Sequence, residues 1–234
     1  MELKEISPTP YYSKIEPASC SPEAFDKFLS LGWYSLGQNL FTTSHVQLEE
    51  SQPPLRVHWL RYRVQSVCEK SSHRRIRRKN SSFKADLADP FVHDERLDSL
   101  YAKYFDHIDF DGYANLSEAT FNPGGKNIFN TKAIIIKSGN KIIACGIFHT
   151  GINSLASVIH FYDPECSSCS PGKYLILKTL DYCRDNNIEW YYPGYLMEGN
   201  PKMDYKLFLG KDVAQYYSPE PVPWNGTWLP YHIE

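Results

Sequence analysis

Three strand-like runs follow one another almost without interruption in this 234-residue chain: KAIIIK (132–137), KIIACGIFHT (141–150) and SLASVIHFY (154–162). β-Branched and aromatic residues suit a pleated, half-buried surface. The links Ser138-Gly139-Asn140 and Gly151-Ile152-Asn153 are only turn-sized, so the three runs must form an antiparallel meander. Residues 172–187 then read as the clearest helix, with Leu175, Leu177, Leu180, Tyr182 and Cys183 interleaved with Lys178, Asp181 and Arg184. Residues 189–195 return as a strand. A strand–helix–strand connection brings the chain back beside its starting strand, so this strand is expected next to 154–162.

The N-terminal part is less regular. Residues 21–31 predict a short helix, with Ser21 as N-cap, Pro22 at the first helical position and Gly32 after the end. Residues 33–43 predict a hairpin around Gly37-Gln38-Asn39. After an acidic, proline-containing loop (49–54), residues 55–67 alternate like a strand. Leu55, Val57 and Trp59 fall on one side and Arg56, His58 and Leu60 on the other, with Arg61 and Arg63 continuing the exposed register. Residues 96–106 have helical spacing, and 117–122 begin a short helix or loop. The expected division is an N-terminal region, 1–90, carrying the hairpin and a basic segment, and a core, 91–234.

Charge is distributed unevenly. Between Arg56 and Lys84 there are ten Lys/Arg and one acid, Glu69, a net +9 in a chain whose total is −2. Such concentration is an electrostatic footprint for a polyanion or a solvated basic face. No apolar run approaches the roughly 20 residues of a membrane span, and the opening MELKEISPTPYYSKIEP lacks the apolar segment of a signal peptide. The expectation is a cytoplasmic protein without membrane contact. Six scattered cysteines then read as free thiols. Cys166-Ser-Ser-Cys169 has metal or redox spacing, but no second pair or nearby histidines complete a tetrahedral site, so no metal is expected.

Three antiparallel strands, a helix opening with SPGKYLIL and a further strand follow the order of a GNAT-type acyltransferase core. The expected class is α+β: a mixed, mainly antiparallel sheet with flanking helices, plus a small N-terminal hairpin and basic segment. Several motifs then point one way. LSLGW precedes the hairpin; SSHRRIRRKN, LYAKYFDHIDFDG, SVIHFYDPE and SPGKYLIL follow; and YYPGYLMEGNPKMDYK (191–206) closes the series. Across roughly residues 25 to 210 the chain resembles the arginyl-tRNA–protein transferases and their bacterial leucyl-transferring relatives. The last segment is the most specific, being similar to the family's Tyr-x-Gly-Tyr/Phe followed by Lys-Met-x-Tyr-Lys.

The resemblance implies transfer of arginine or leucine from aminoacyl-tRNA to the N-terminal α-amine of acceptor proteins beginning with Asp or Glu, marking them for degradation. Aminoacyl-tRNA would be the co-substrate, with no further cofactor, and the acceptor proteins would be bound through their N-termini. Arg61, Arg63, His73, Arg74, Arg75, Arg77, Arg78 and Lys79 are candidates to neutralise tRNA phosphates, helped by Ser71 and Ser72. Asp163 either attracts the incoming α-ammonium, accepts its proton or simply starts a turn with Pro164. Tyr162 and Tyr195 are candidate catalytic hydroxyls, with backbone amides near Gly172. Tyr191, Gly194, Lys202, Met203, Tyr205 and Lys206 are candidate substrate-binding residues. Lys202 and Lys206 would meet the acceptor's carboxylate or the tRNA 3′ end, or lie on an exposed loop with Met203 and Tyr205 turned inward.

The chain also departs from the family. Eukaryotic members carry an N-terminal Cys-x-x-Cys and a later Cys-Cys pair, whereas Cys20 here stands alone, so an N-terminal iron–sulfur or metal site is not expected. Asp204 fills the variable position of the Lys-Met-x-Tyr-Lys motif, and Glu198-Gly199-Asn200 stands before it where a cysteine or another residue is common, which leaves the amino acid and acceptor open. Alternatives are an acyl-CoA-dependent N-acetyltransferase, although CSSCSPGKYL has one glycine and no arginine for a pyrophosphate loop, and a non-catalytic RNA-binding relative.

Overall fold

The computed structural model describes residues 10–48, 53–108, 113–121, 127–218 and 226–231. Parts of the 49–54 loop and the ends of the 100–112 and 117–122 segments lie outside them. At the N-terminal end, β1 (Tyr12–Ile15), β2 (Tyr34–Leu36) and β3 (Asn39–Thr43) form a small sheet in the order β1-β3-β2. The β2–β3 hairpin turns at Gly37, whose φ of +56° favours glycine. Helix α1 (Pro22–Ser30) starts as the sequence requires: Ser21 Oγ accepts the N–H of Ala24 at 3.2 Å and Pro22 takes the first turn.

The larger sheet contains β4 (His45–Val46), β5 (Leu55–Arg63), β6 (Lys84–Ala88), β7 (Thr131–Ser138), β8 (Lys141–Thr150), β9 (Ser154–Tyr162), β10 (Trp190–Met197), β11 (Ala214–Ser218) and β12 (Thr227–Pro230). Its order among the described residues is β12-β11-β5-β10-β9-β8-β7-β6, with β4 paired to β5 off that path. The β7–β8–β9 meander is antiparallel, and β10 lies parallel to β9, as expected. Two expectations are corrected. The division at residue 90 crosses one continuous sheet, because β5 sits between β11 and β10 and β6 forms an edge. Arg61 is half-buried on the rings of Trp190 and Trp228, so only Arg63 continues the exposed register.

Helices α2 (Ser71–Lys79), α3 (Glu95–Phe105), α4 (Leu116–Thr120) and α5 (Pro171–Asp185) flank the sheet. On one face, Leu175, Leu177 and Leu180 of α5 join a core with Ile134, Ile136, Phe148 and Leu155. On the other, Leu97, Leu100 and Tyr101 of α3 pack with Ala133, Cys145, Ile147 and Phe161. Each of the Leu, Ile and Phe side chains contributes about 1.5–3 kcal/mol when fully buried, so the β7–β9 region is the rigid base of the molecule.

That base splits at one place. β9 and β10 pair only through Trp190–Ser154, Tyr191–Leu155 and Tyr192–Ala156, although both continue for several residues. Each carries a bulge just beyond the last pair. Val158 is the extra residue of β9 opposite Ile147 and Phe148 of β8, and β10 shifts register against β5 between Tyr191 and Gly194. Bulges bend and twist a strand locally. Gly194, at φ +96°, supplies the backbone freedom the second one needs.

Candidate active site

The gap between the parted strands is a cleft of about 200 Å³. Val158, Ile159 and His160 of β9 form one wall, Pro193, Gly194 and Tyr195 of β10 the other, and Tyr34, Phe41 and Trp59 close it. Strand divergence strands backbone carbonyls, and buried ones need donors. Tyr34 supplies one: its hydroxyl lies 2.6 Å from Ser157 O and 2.8 Å from Tyr192 O, one acceptor on each side of the split. Burial pushes that phenol's pKa well up, so it stays protonated as a donor. Ser157 Oγ and Tyr191 Oη form a second hydroxyl contact at 2.9 Å. His160 is held neutral, its pKa lowered to about 4 by burial and by the Lys206 charge.

The 3-10 turn Pro201–Leu207 after β10 brings the Lys-Met-x-Tyr-Lys residues to this cleft. Met203, Tyr205 and Lys206 line it. Tyr62 Oη donates to the Lys206 carbonyl at 2.9 Å, and Lys206 Nζ donates to Tyr195 O at 2.7 Å. Among the described residues no carboxylate pairs with this ammonium. Burial lowers its pKa to about 8, the direction expected of a lysine removed from water. Tyr195 and Gly194 line the cleft beside it, and an added Cβ at Gly194 would stand 3.4 Å from Lys206 Nζ. Tyr191 lines the cleft from its floor. Lys202 lies exposed on the same turn, outside the cleft lining, with its backbone N–H on Asn200 Oδ1.

Asp163 and Tyr162, the other two candidate catalytic residues, lie outside the lining of this cleft. Asp163 is 1% exposed and accepts from Lys103 and Lys141, both at 2.7 Å, and from the N–H of Glu165 at 3.1 Å. Burial raises its pKa, but these three donors overcome that and hold it at about 2. In this arrangement the carboxylate is engaged in capping the 3-10 turn Pro164–Cys169. Tyr162, half-buried, packs its ring on Tyr104 at 5.2 Å and under Gly172 at the start of α5, against the core rather than in the cleft.

The basic helix also divides. Arg74, Arg75, Arg78 and Lys79 are exposed on α2. Arg63 is exposed and pairs with Glu189 at 3.1 Å, and Lys79 donates to Ser168 O. Three other residues are committed inside the fold. Arg77 holds Asp181 with two bonds of 2.7 Å and Glu69 at 2.9 Å. Arg61 stacks between Trp190 and Trp228, at 3.8 and 4.4 Å from their centroids, and donates to Gln215. His73 is buried, accepts the N–H of Lys70 at 3.2 Å and, in that tautomer, donates to Phe208 O at 3.1 Å. These three candidates thus have partners within the fold, whereas Arg74, Arg75 and Arg78 are exposed.

The sequence did not single out Tyr34, Trp59, Ser157 or His160. Tyr34 sits in the hairpin right after LSLGW, a usable signal for the segment, but nothing local says that its hydroxyl reaches strands more than a hundred residues away. Among the described residues the six cysteines are free thiols, and no group of three His, Cys, Asp or Glu is placed to hold a metal. No helix there is long and apolar enough to cross a membrane.

Comparison with known proteins fits this arrangement. The aspartate/glutamate leucyltransferase of Vibrio cholerae is 26% identical over 202 residues, covering 82% of this chain and 80% of that protein. That of Leptospira interrogans is 24% identical over 224 residues, 91% and 80% of the two chains. Arginyl-tRNA–protein transferase 1 of Saccharomyces cerevisiae is 32% identical over 83 residues, 36% of this chain and 16% of the yeast protein. The family model for the C terminus of arginine-tRNA-protein transferase matches residues 95–212, from α3 through the Lys206 turn, and the chain belongs to that family.

Proposed function

We propose that this protein transfers leucine or arginine from aminoacyl-tRNA to the N-terminal α-amine of proteins beginning with Asp or Glu, in the cytoplasm, as a mark for degradation. The observation that carries the reading is the Lys206 ammonium, held in the β9–β10 cleft without an acidic partner among the described residues. An acidic N-terminal side chain supplies the missing charge, and a charge-assisted hydrogen bond of this kind is worth about 1.5–3 kcal/mol. The exposed Arg74, Arg75, Arg78 and Lys79 offer tRNA phosphates a basic face.

The ester of aminoacyl-tRNA is already activated, so the chemistry calls for no metal or nucleotide. The α-amine nitrogen bonds to the ester carbonyl carbon, the bond from that carbon to the ribose oxygen breaks, and the proton shed by the amine ends on the ribose oxygen. The cleft contributes by holding amine and ester together. The test is incubation with labelled leucyl-tRNA or arginyl-tRNA and peptides beginning Asp, Glu, Arg, Lys or Ala, with acetyl-CoA as a control donor. Label in amide linkage on the Asp and Glu peptides is expected. Transfer from acetyl-CoA alone, or from neither tRNA, overturns the reading.

A further inference from the structure

We propose that Tyr34 is a positioning residue for the transfer step: its hydroxyl, shared between Ser157 O and Tyr192 O, fixes how far β9 and β10 stand apart and so sets the spacing of the two cleft walls. This rests on the reading of the β9–β10 cleft as the transfer site. The hydroxyl has one proton and two carbonyl acceptors, at 2.6 and 2.8 Å, one on each strand and both just where pairing ends. It therefore bridges the strands at the point where their backbone pairing ends.

The ring is placed as firmly as the hydroxyl. It stacks on Trp59 with centroids 5.2 Å apart and planes 22° from parallel. Trp59 is itself fixed by its indole N–H on Thr43 O at 3.0 Å and meets Tyr195 edge-on at 5.0 Å. Tyr195 O is the acceptor for Lys206 Nζ. One residue thus touches both walls, through its hydroxyl to the backbone and through Trp59 to the residue that seats the cleft's ammonium. Side chains that act only on substrate binding have no reason to bond to both strands.

Reacting atoms must meet at about 3–3.5 Å, and a misplacement of 1 Å can cost about a hundredfold. Removal of the bridge should accordingly lower kcat more than it raises KM. Tyr34→Phe is expected to reduce kcat ten- to a hundredfold, with KM for an Asp-starting peptide within about threefold and the folded fraction unchanged. Water entering beside Lys206 should also move the alkaline limb of the pH profile upward, which simple loss of stability would not do. Incorporation of 4-aminophenylalanine at position 34 restores an N–H donor and should recover most of kcat, whereas 4-methylphenylalanine fills the same space without a donor and should not. This pair also serves if Tyr34→Phe does not fold. Equal kcat for the amino and methyl variants, or a Tyr34→Phe enzyme within twofold of the parent, overturns the proposal. Lys206→Ala, run alongside, separates the two ideas: if it leaves transfer intact, the cleft is not the transfer site and the underlying reading fails instead.

Discussion

The ammonium of Lys206 lies 2.7 Å from the carbonyl oxygen of Tyr195, on the side of β10 where β9 has turned away. A half-desolvated cation at such a place should be felt by an acidic acceptor. Lys206→Met is expected to lower kcat/KM for Asp- and Glu-starting peptides ten- to a hundredfold, matching the loss of one charge-assisted bond of about 1.5–3 kcal/mol, while Ala-starting peptides change little. An equal loss for all peptides would assign Lys206 to the ester rather than to the acceptor's side chain.

The same lysine gives a pH dependence whose sign can be worked out. Its pKa in the fold, about 8, lies below the ordinary 10.5 because burial disfavours the charge. The unfolded chain therefore binds more protons between those values, and the fold gains stability as pH rises from about 8 to 10.5. Below pH 8 the full penalty for charging the lysine remains. Lys206→Met should thus raise the melting temperature at pH 7, and its advantage over the parent should shrink toward pH 10.5. In activity the sign reverses, because loss of the ammonium above pH 8 weakens acidic acceptors. An alkaline limb near pH 8 that persists unchanged in Lys206→Met would assign it to another group.

Asp163 should matter to stability and not to chemistry. Its carboxylate is held ionised by Lys103, Lys141 and the Glu165 amide, with a folded pKa of about 2 against an ordinary 3.8. The stability it contributes is present above about pH 4 and is lost as pH falls through 2. Asp163→Asn should lower the unfolding free energy at pH 7 by about 1.5–3 kcal/mol if the charge-assisted bonds are lost, read as a lower melting temperature. Its kcat should stay within about threefold of the parent at a temperature where both are folded. A thousandfold loss of kcat in a stable variant would return Asp163 to the reaction.

On the basic helix, the exposed arginines and Arg77 should behave in opposite ways. Replacing Arg74, Arg75 and Arg78 by alanine removes exposed charge, so tRNA binding should weaken and its log–log salt slope should fall by about 0.9 for each duplex phosphate no longer neutralised. Arg77→Ala instead leaves Asp181 without its two bonds. It should lower the melting temperature while leaving the salt slope nearly intact. Filter-binding titrations across salt concentrations, beside thermal melts, distinguish the two.

Strong local signals account for what could be read in advance. The meander, α1 with its Ser21 cap, α3 and α5 all announce themselves through period and capping, because those forces act within a few residues. β6 (KADLA), β11 (AQYYS) and β12 (TWLP) carry few β-branched residues and exist because a neighbouring strand offers them hydrogen bonds, so they were not legible. The turn bearing Lys206 and Tyr205 was marked by its motif. Asp163 and Arg61 misled for one reason: a charged side chain looks available in sequence, and only tertiary contacts reveal that Lys103 or the Trp190–Trp228 pair has claimed it. Tyr34 was invisible for the converse reason, since an aromatic residue in a hairpin looks like packing.

His73 offers the last test, because it joins the basic helix to the cleft. Its Nδ1 accepts from the Lys70 amide at the start of α2, and its Nε2–H donates to Phe208 O, two residues beyond Lys206. Its ring also meets Phe208 edge-on, with centroids 4.8 Å apart. In His73→Ala the Phe208 carbonyl is left without its donor and the edge-on ring contact disappears, at a cost of about 1–3 kcal/mol. The segment that seats Lys206 then loosens, while the exposed Arg74, Arg75 and Arg78 keep their charge. tRNA affinity and its salt slope should therefore stay within about twofold of the parent, and KM for Asp- and Glu-starting peptides should rise several-fold. His73→Gln, which can donate an amide N–H toward the same carbonyl, should recover part of that loss. If His73→Ala weakens tRNA binding and flattens the salt slope while peptide KM is unchanged, the histidine acts on the nucleic acid, and the link through Phe208 has no part in holding the cleft.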